Sequence, residues 1–435
     1  MASAKLSRTT TTPTSADIGT VSFWMKRSVL DENNNYIISN YTDGSNYGYI
    51  RFKSDNQLQV FGNQSQDEKR TNRLFRDVNA WYHIVLRVDT TQGTAGDRVR
   101  MYINGVQETS FTTSTDVGQN TDYDLFKSGG TMIIGHIQSG TATYFSGQLA
   151  HFHYVDGQSY APTVFGETDA TTGIWKPKTD PGISQANYGN NGFFLKFDNS
   201  ANMGLDSSGN SHNLTTSGTI IQNKDTPSNV FNTLSPIDIP TNSSGSSGTL
   251  PTLSNANTSI TNSNSAFREV RSNFYVTKGK YYFEAKPTRI GGSGAFQVGV
   301  ALNNYSQGSG ERRAYQNNGY KYISGSSSYG ATFTANDIIG VALNLTDGEI
   351  TFYKNGVSQG VAATDMLSGI DSTGWTAVVN CYDADGHLNF GNGYFGTTAV
   401  SSAQNPDDGI GIFEYSVPTG YKALCTKSLN AQEYS

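Results

Sequence analysis

Two stretches far apart in the chain share one shape: RMYINGVQ at 100–107 and TFYKNGVSQ at 351–359. Each runs as a strand into Asn-Gly and starts back, at Asn104-Gly105 and at Asn355-Gly356. A two-residue hairpin of type I′ needs positive φ at both central positions. Glycine enters that region without steric cost and asparagine tolerates it. An aromatic residue sits just upstream in both copies, Tyr102 in one and Phe352-Tyr353 in the other. Two hairpins of the same build predict two β-rich domains of related architecture in tandem.

Composition agrees. The hydrophobic fraction is only 35%, but aromatics reach 12%, mostly from 25 Tyr and 22 Phe, so the core is expected to be aromatic and β-branched side chains on strands. The 47 glycines signal many turns. The formal net charge of −6 argues against nucleic acid as a partner, because neutralising phosphates needs a basic surface. Two short basic runs, Lys69-Arg70-Arg73-Arg76 and Arg312-Arg313, are expected in solvated loops. Cys381 and Cys425 make no disulfide framework, and Cys381 in AVVNCY is expected to be a buried free thiol. The opening MASAKLSRTTTTPTS lacks an apolar core of the kind a secretory signal needs. No apolar run approaches the ~20 residues that span a bilayer, so no membrane partner is expected.

Period-two alternation marks the strands. Val21, Phe23 and Met25 share a face, as do Tyr82, Ile84, Leu86 and Val88, and Val99, Met101 and Ile103. A second alternating region holds GKYYFEAK (279–286), FQVGVAL (296–302), DIIGVALNL (337–345), EITFYKNGV (349–357), GWTAVVNCY (374–382) and LNFGNGYF (388–395), with Tyr281, Phe283 and Ala285 on one face. FFLKFD at 193–198 is expected as a strand. The Ser/Asn/Thr/Gly tract at 240–265 is expected as a linker or surface loop that buries no core. The resulting domains are 1–175, an irregular connection at 176–265 with a strand that could complete the first domain, a second sandwich at 266–398, and a tail at 399–435. The tail ends in VPTGYKALCTKSL, expected to dock back as a short helix or strand.

With these pieces in order, the first region resembles a LamG or concanavalin A-like jelly roll: TVSFWMKRS, then AWYHIVLRVD, RVRMYINGVQ and FSGQLAHFHYVDGQSY. The second region resembles a SPRY domain, through GKYYFEAK, VGVAL, DIIGVALNL, EITFYKNGV and LNFG. The segment VDGQSYAPTVFGETDATTGIWKPK is similar to one found in structural proteins of marine bacteriophages. The resemblances imply an all-β fold of two tandem antiparallel concanavalin A-like β-sandwiches with a Ser/Asn/Gly-rich connection. Both folds host many partners, so they say less about ligand than about architecture.

Catalytic chemistry is hard to find. A retaining glycosidase needs two carboxylates about 5–5.5 Å apart, and no Glu/Asp pair at i, i+2 lies on an expected strand. Glu284 stands alone. Asp383 and Asp385 have the spacing but sit in YDADGH, which is a turn with Asp at its start. His151 and His153 on one strand, with His136 on another, could hold zinc, but they read first as plain strand residues and no metal site is expected. Calcium stays open as a cofactor. Asp43, Asp89, Asp97 and Asp206 are candidates that form no recognisable ligand set. His83 belongs to the structural WYHIVL strand.

Aromatic residues in NNYSQGSGERRAYQNNGYKYISGSSSYG are the remaining signal. Tyr305, Tyr315, Tyr320, Tyr322 and Tyr329, with Asp383, are the candidate contact residues, since tyrosine offers area at low entropic cost with a polar tip. The alternative for these tyrosines is that some cap the core beneath a long loop. The expectation is a non-enzymatic bacteriophage virion protein, a tail fibre or other appendage on the virion surface assembled in the host cytoplasm. Its partners would be other virion proteins and host cell-surface glycan. A fibre role implies a homotrimer, although no heptads enforce one. The competing classes are a polysaccharide depolymerase and a secreted adhesion lectin.

Overall fold

The computed structural model describes residues 4–63, 67–138, 143–170, 172–239, 250–302, 312–368, 370 and 374–433. The chain is all-β and almost wholly antiparallel, and it divides into two compact units, 1–222 and 223–435.

In the first unit a six-stranded sheet runs in the order Phe193–Leu195, Gly147–Asp156, Ile18–Arg27, Tyr82–Asp89, Val99–Ile103, Val106–Gln107. The alternation read from sequence sets its inner face. Phe23 pairs with Ile84 and Ile84 with Ile103, while Val21 pairs with Leu86 and Leu86 with Met101. These side chains share one buried core with Phe52, Leu58 and Val60 of a nine-stranded sheet. Each such side chain contributes on the order of 1.5–3 kcal/mol when fully buried. Phe193–Leu195 adds to the free edge of the Gly147–Asp156 strand, and Thr215–Ser217 pairs with Lys5–Thr9.

The second unit repeats the plan. One sheet holds Lys280–Ile290, Ile339–Asn344, Glu349–Lys354 and Val357–Ala363 in register, with Phe283 opposite Val341 and Val341 opposite Phe352. The other runs Arg268–Val276, Trp375–Cys381, Phe296–Leu302, Arg312–Gln316, Tyr320–Tyr322, Ser326–Ser328. Tyr281, Phe283 and Ala285 point into the shared core with Val298, Val300 and Val379. In the tail, Lys422–Ala423 pairs in parallel with Lys280–Ile290, and Thr426–Glu433 forms a helix. Among the described residues no helix is long and apolar enough to cross a membrane.

Both Asn-Gly turns have the expected geometry. Asn104 and Gly105 stand at φ 48° and 81°, Asn355 and Gly356 at 48° and 79°. Each asparagine also ties its hairpin to the next strand: Asn104 Oδ1 accepts from the His83 amide at 2.8 Å, and Asn355 Oδ1 from the Ile338 amide at 2.7 Å.

Three expectations change. Part of the 240–265 tract is a hairpin, not a connection. Thr252–Ser254 pairs with Ser259–Asn262, which pairs with Ala384–Asn389, and Ile260 is buried in the core. Ile260 and the half-buried Leu253 opposite it are enough there, because their neighbours need only pair their backbones. Lys69, Arg70 and Arg73 of the first basic run and both arginines of the second lie in strands instead of loops, while Arg76 is exposed outside them as expected. Lys69 pairs with Asp116 at 2.7 Å, Arg73 with Glu108 at 2.8 Å, Arg70 with Asp55 and Arg313 with Asp365 at 2.7 Å. The histidines do not continue one strand face either. A bulge puts His151 at φ 46° and breaks the alternation before His153.

Candidate functional site

The six-stranded sheet of the second unit turns polar side chains outward at its middle. Alternation that sends Phe296, Val298 and Val379 inward sends Gln297 and Asn380 outward, and the register sets Gln297 between Asn380 and Gln316 on neighbouring strands. These three amides and Arg312 floor a cleft of about 390 Å³. Phe267 and Tyr322 supply aromatic surface, and Ser293, Gly294, Asn318 and Ser326 complete the lining. The four floor side chains are each at most 6% exposed, so they are sunk at the bottom of a concavity.

The floor is organised around a buried carboxylate. Glu269, fully buried, accepts from Arg312 Nη1 at 2.9 Å and from Arg271 Nε at 3.2 Å. Arg271 also lies 3.9 Å from Asp238, so the two guanidinium charges face two carboxylates. Arg312 stacks over Tyr322 at 4.4 Å. With its amide oriented to satisfy its neighbours, Asn380 accepts from Arg312 Nη1 at 2.9 Å and donates to the Arg268 carbonyl at 3.2 Å. Gln297 Nε2 donates to the Gly294 carbonyl at 3.2 Å, and Gln316 Nε2 to Ser326 Oγ at 2.9 Å.

The candidate tyrosines do not act as one group. Tyr322 lines the cleft. Tyr320 is 42% exposed on the same short strand but does not line it. Tyr315 is a core residue, not a loop contact: it is fully buried, packs on Phe333 and Phe352, and donates its hydroxyl to the Ala331 carbonyl. Burial pushes that hydroxyl up to about 12. Tyr329 packs beside Tyr315 and Phe352 and donates to the Gly360 carbonyl, which is the core-capping alternative. Tyr305 lies outside the described residues. Asp383, at the turn, is held by Arg289 at 2.5 Å, and the same guanidinium binds Asp385 at 2.8 Å; Asp385 lies on the strand Ala384–Asn389 and not in the turn expected, and the three form an ion-paired brace away from the cleft lining. Sequence reasoning missed Gln297, Gln316, Asn380, Arg312 and Phe267. The available signal was a lone amide inside each of two apolar runs, FQVGVAL and AVVNCY.

Residues 2–158 match the family model described as the concanavalin A-like lectin/glucanases superfamily, and residues 280–393 match that of the SPRY domain. The chain carries a concanavalin A-like domain followed by a SPRY domain. Ran-binding protein 9 of Xenopus tropicalis is 34% identical over 96 residues, 20% of this chain, and Ran-binding protein 10 of Danio rerio is 32% identical over 96. The match spans only 18% and 16% of the length of these two relatives. The crystal structure of the SPRY domain of human HERC1 is similar at a TM-score of 0.30 and 18% identity, covering 36% of this chain and 96% of that one.

Elsewhere in the SPRY domain, the other carboxylate considered for catalysis is fully engaged. Glu284 is completely buried and accepts from the backbone amides of Glu414 at 2.9 Å and Tyr415 at 3.0 Å, with Asn389 Nδ2 and the Tyr282 hydroxyl each at 3.3 Å. Burial outweighs these donors and raises its pKa to about 7.

The concanavalin A-like domain has a matching arrangement. Trp175 Nε1 donates to His83 Nδ1 at 2.9 Å, which leaves His83 Nε2 to donate to Ser22 Oγ at 2.9 Å. This is a serine–histidine contact with an indole where a triad would have a carboxylate. Burial lowers the imidazole to about 3. His153 stacks on Phe194 at 3.8 Å and bonds the Tyr188 hydroxyl through Nδ1, whereas His136 stacks on Tyr144. No group of three potential metal ligands occurs among the described residues. The calcium candidates are committed locally. Asp43 accepts from Ser45 and Asn46, Asp89 from Thr91 and Gln92, and Asp206 from Phe194, Ser208 and His212, while Asp97 pairs with Arg100.

Proposed function

We propose that this chain is a non-enzymatic contact protein of a bacteriophage virion surface, a tail fibre or other appendage, whose SPRY domain presents the cleft floored by Gln297, Arg312, Gln316 and Asn380. The observation that carries the binding reading is that cleft: a polar floor nearly closed to solvent, flanked by aromatic side chains, on a rigid sheet. LamG and SPRY domains both suggest binding to proteins or carbohydrate, and neighbouring virion proteins and host glycan are the partners of this proposal. The finer, virion assignment is supported by the likeness of VDGQSYAPTVFGETDATTGIWKPK to segments of marine phage structural proteins. A non-enzymatic role is supported by the fate of the carboxylates, since Glu284 holds the chain's own backbone and Asp383 and Asp385 share Arg289.

Mass spectrometry of purified particles tests the assignment. The chain is expected among the virion proteins, and particles that form without it would refute the placement. Incubation with envelope polysaccharide is expected to release no reducing ends. Release that stops on Glu284→Gln or Asp383→Asn would replace the contact role with a depolymerase.

A further inference from the structure

We infer that the SPRY cleft is a subsite for a neutral pyranose ring of a glycan. The inference rests on the binding role proposed above and names the ligand class. The charges of the floor cancel within it, because Arg312 and Arg271 share Glu269 and Arg271 also faces Asp238. A ligand anion would meet the buried Glu269 carboxylate directly behind the one guanidinium that lines the cleft. Asn380 is spent on Arg312 and the Arg268 carbonyl, and what remains for recognition is the oxygen and second N–H of Gln297 and of Gln316. Each of these amides is both donor and acceptor, and a hydroxyl group is likewise both. Vicinal sugar hydroxyls therefore match Gln297 and Gln316 better than a peptide carboxylate or an ammonium would.

One acceptor of the floor is left without a donor. The amide orientation that satisfies Asn380 withdraws the N–H that would otherwise reach Gln297 Oε1 at 3.3 Å. An acceptor left unpaired on a cleft floor costs about 1–3 kcal/mol, which a bound hydroxyl recovers. Phe267 and Tyr322 offer apolar surface to the C–H face of a ring, and about 390 Å³ admits one ring or two, at the small end for ligand pockets.

The test is saturation-transfer NMR on the full chain with methyl glycosides of glucose, galactose, mannose and N-acetylglucosamine, with methyl glucuronide as the acidic probe. At least one neutral glycoside is expected to receive saturation on its ring protons. Gln316→Leu and Tyr322→Ala should weaken that binding about tenfold or more, while Tyr320→Ala, outside the cleft, should not. Ser293→Leu, exposed at the rim, narrows the mouth without touching the floor and should block binding even if a floor variant fails to fold. No neutral glycoside binding, binding that survives Ser293→Leu, or binding of the glucuronide alone would each overturn the inference. None of these outcomes depends on whether the chain is found in particles, so the ligand class and the virion placement fail separately.

Discussion

Glu284 gives the SPRY domain a pH dependence that can be worked from its surroundings. Its carboxylate is fully buried between Tyr282, Asn389 and the backbone of 414–415, and burial raises its pKa from 4.5 to about 7. A folded-state pKa above the unfolded one means that the folded protein holds the proton more tightly. The stabilisation is fully present below about pH 4.5 and is lost as pH rises through about 7. At about 1.4 kcal/mol per pH unit the whole window is worth about 3.5 kcal/mol. In a unit of roughly 210 residues that corresponds to a melting shift of about 7–14 °C. Calorimetry from pH 4 to 8 on the wild type and Glu284→Gln isolates this residue. Asp67 in the other unit, also raised to about 7 by burial, contributes the same slope to both proteins and drops out of the difference. The variant loses absolute stability, because its NH2 group faces backbone donors, but its curve should be flatter across the window. Parallel curves for the two proteins would refute the reasoning.

The hairpin asparagines yield two more tests. Asn355→Ala removes the bonds to the Ile338 amide and to Asp337 and leaves at φ 48° a residue without asparagine's tolerance of that region, which together cost about 2–3 kcal/mol, whereas Asn355→Gly loses the same bonds but enters that φ freely and should cost about 1 kcal/mol less; equal melting temperatures for the two, by calorimetry, would dismiss this partition. Gly105→Val and Gly356→Val should each lower the melting temperature of their own unit by several degrees, because a Cβ would stand 2.9 Å from the Trp175 ring in one and 2.7 Å from Tyr415 in the other, both at positive φ, and unchanged melting in both would discard the type I′ reading.

The sandwiches were legible because period two is a strong signal and the Asn-Gly turns set the register that exploits it. Their sites were less legible for reasons of geometry. Tyr315 and Tyr322 read alike in sequence, but the tight turn between their strands sets Tyr322 opposite Ala314, on the face away from Tyr315. One tyrosine therefore enters the core and the other the cleft. Ile260 was hidden by a polar tract whose strands need almost no side-chain signal to pair. Arg312 looked like half of a solvated basic pair because Glu269, the residue that buries it, lies 43 positions earlier.

The distinction between structure and site in this molecule comes from what covers each buried polar group. On the concanavalin A-like domain, the strand Trp175–Pro177 brings an indole over Gly105, and its N–H completes the hydrogen bonding of His83. In the SPRY domain, residues 413–415 do the same work, with Tyr415 over Gly356 and two backbone amides on Glu284. A segment that follows the sandwich thus returns in both cases to an Asn-Gly hairpin, and the missing Cβ of the turn glycine lets the aromatic ring seat. Polar groups under these straps are satisfied and shielded, so they serve stability. The floor of Gln297, Arg312, Gln316 and Asn380 is sunk as deeply, yet it opens into a cleft. A fold that finds partners for His83 and Glu284 by adding chain, and leaves this floor open, has room at that position for a molecule other than itself.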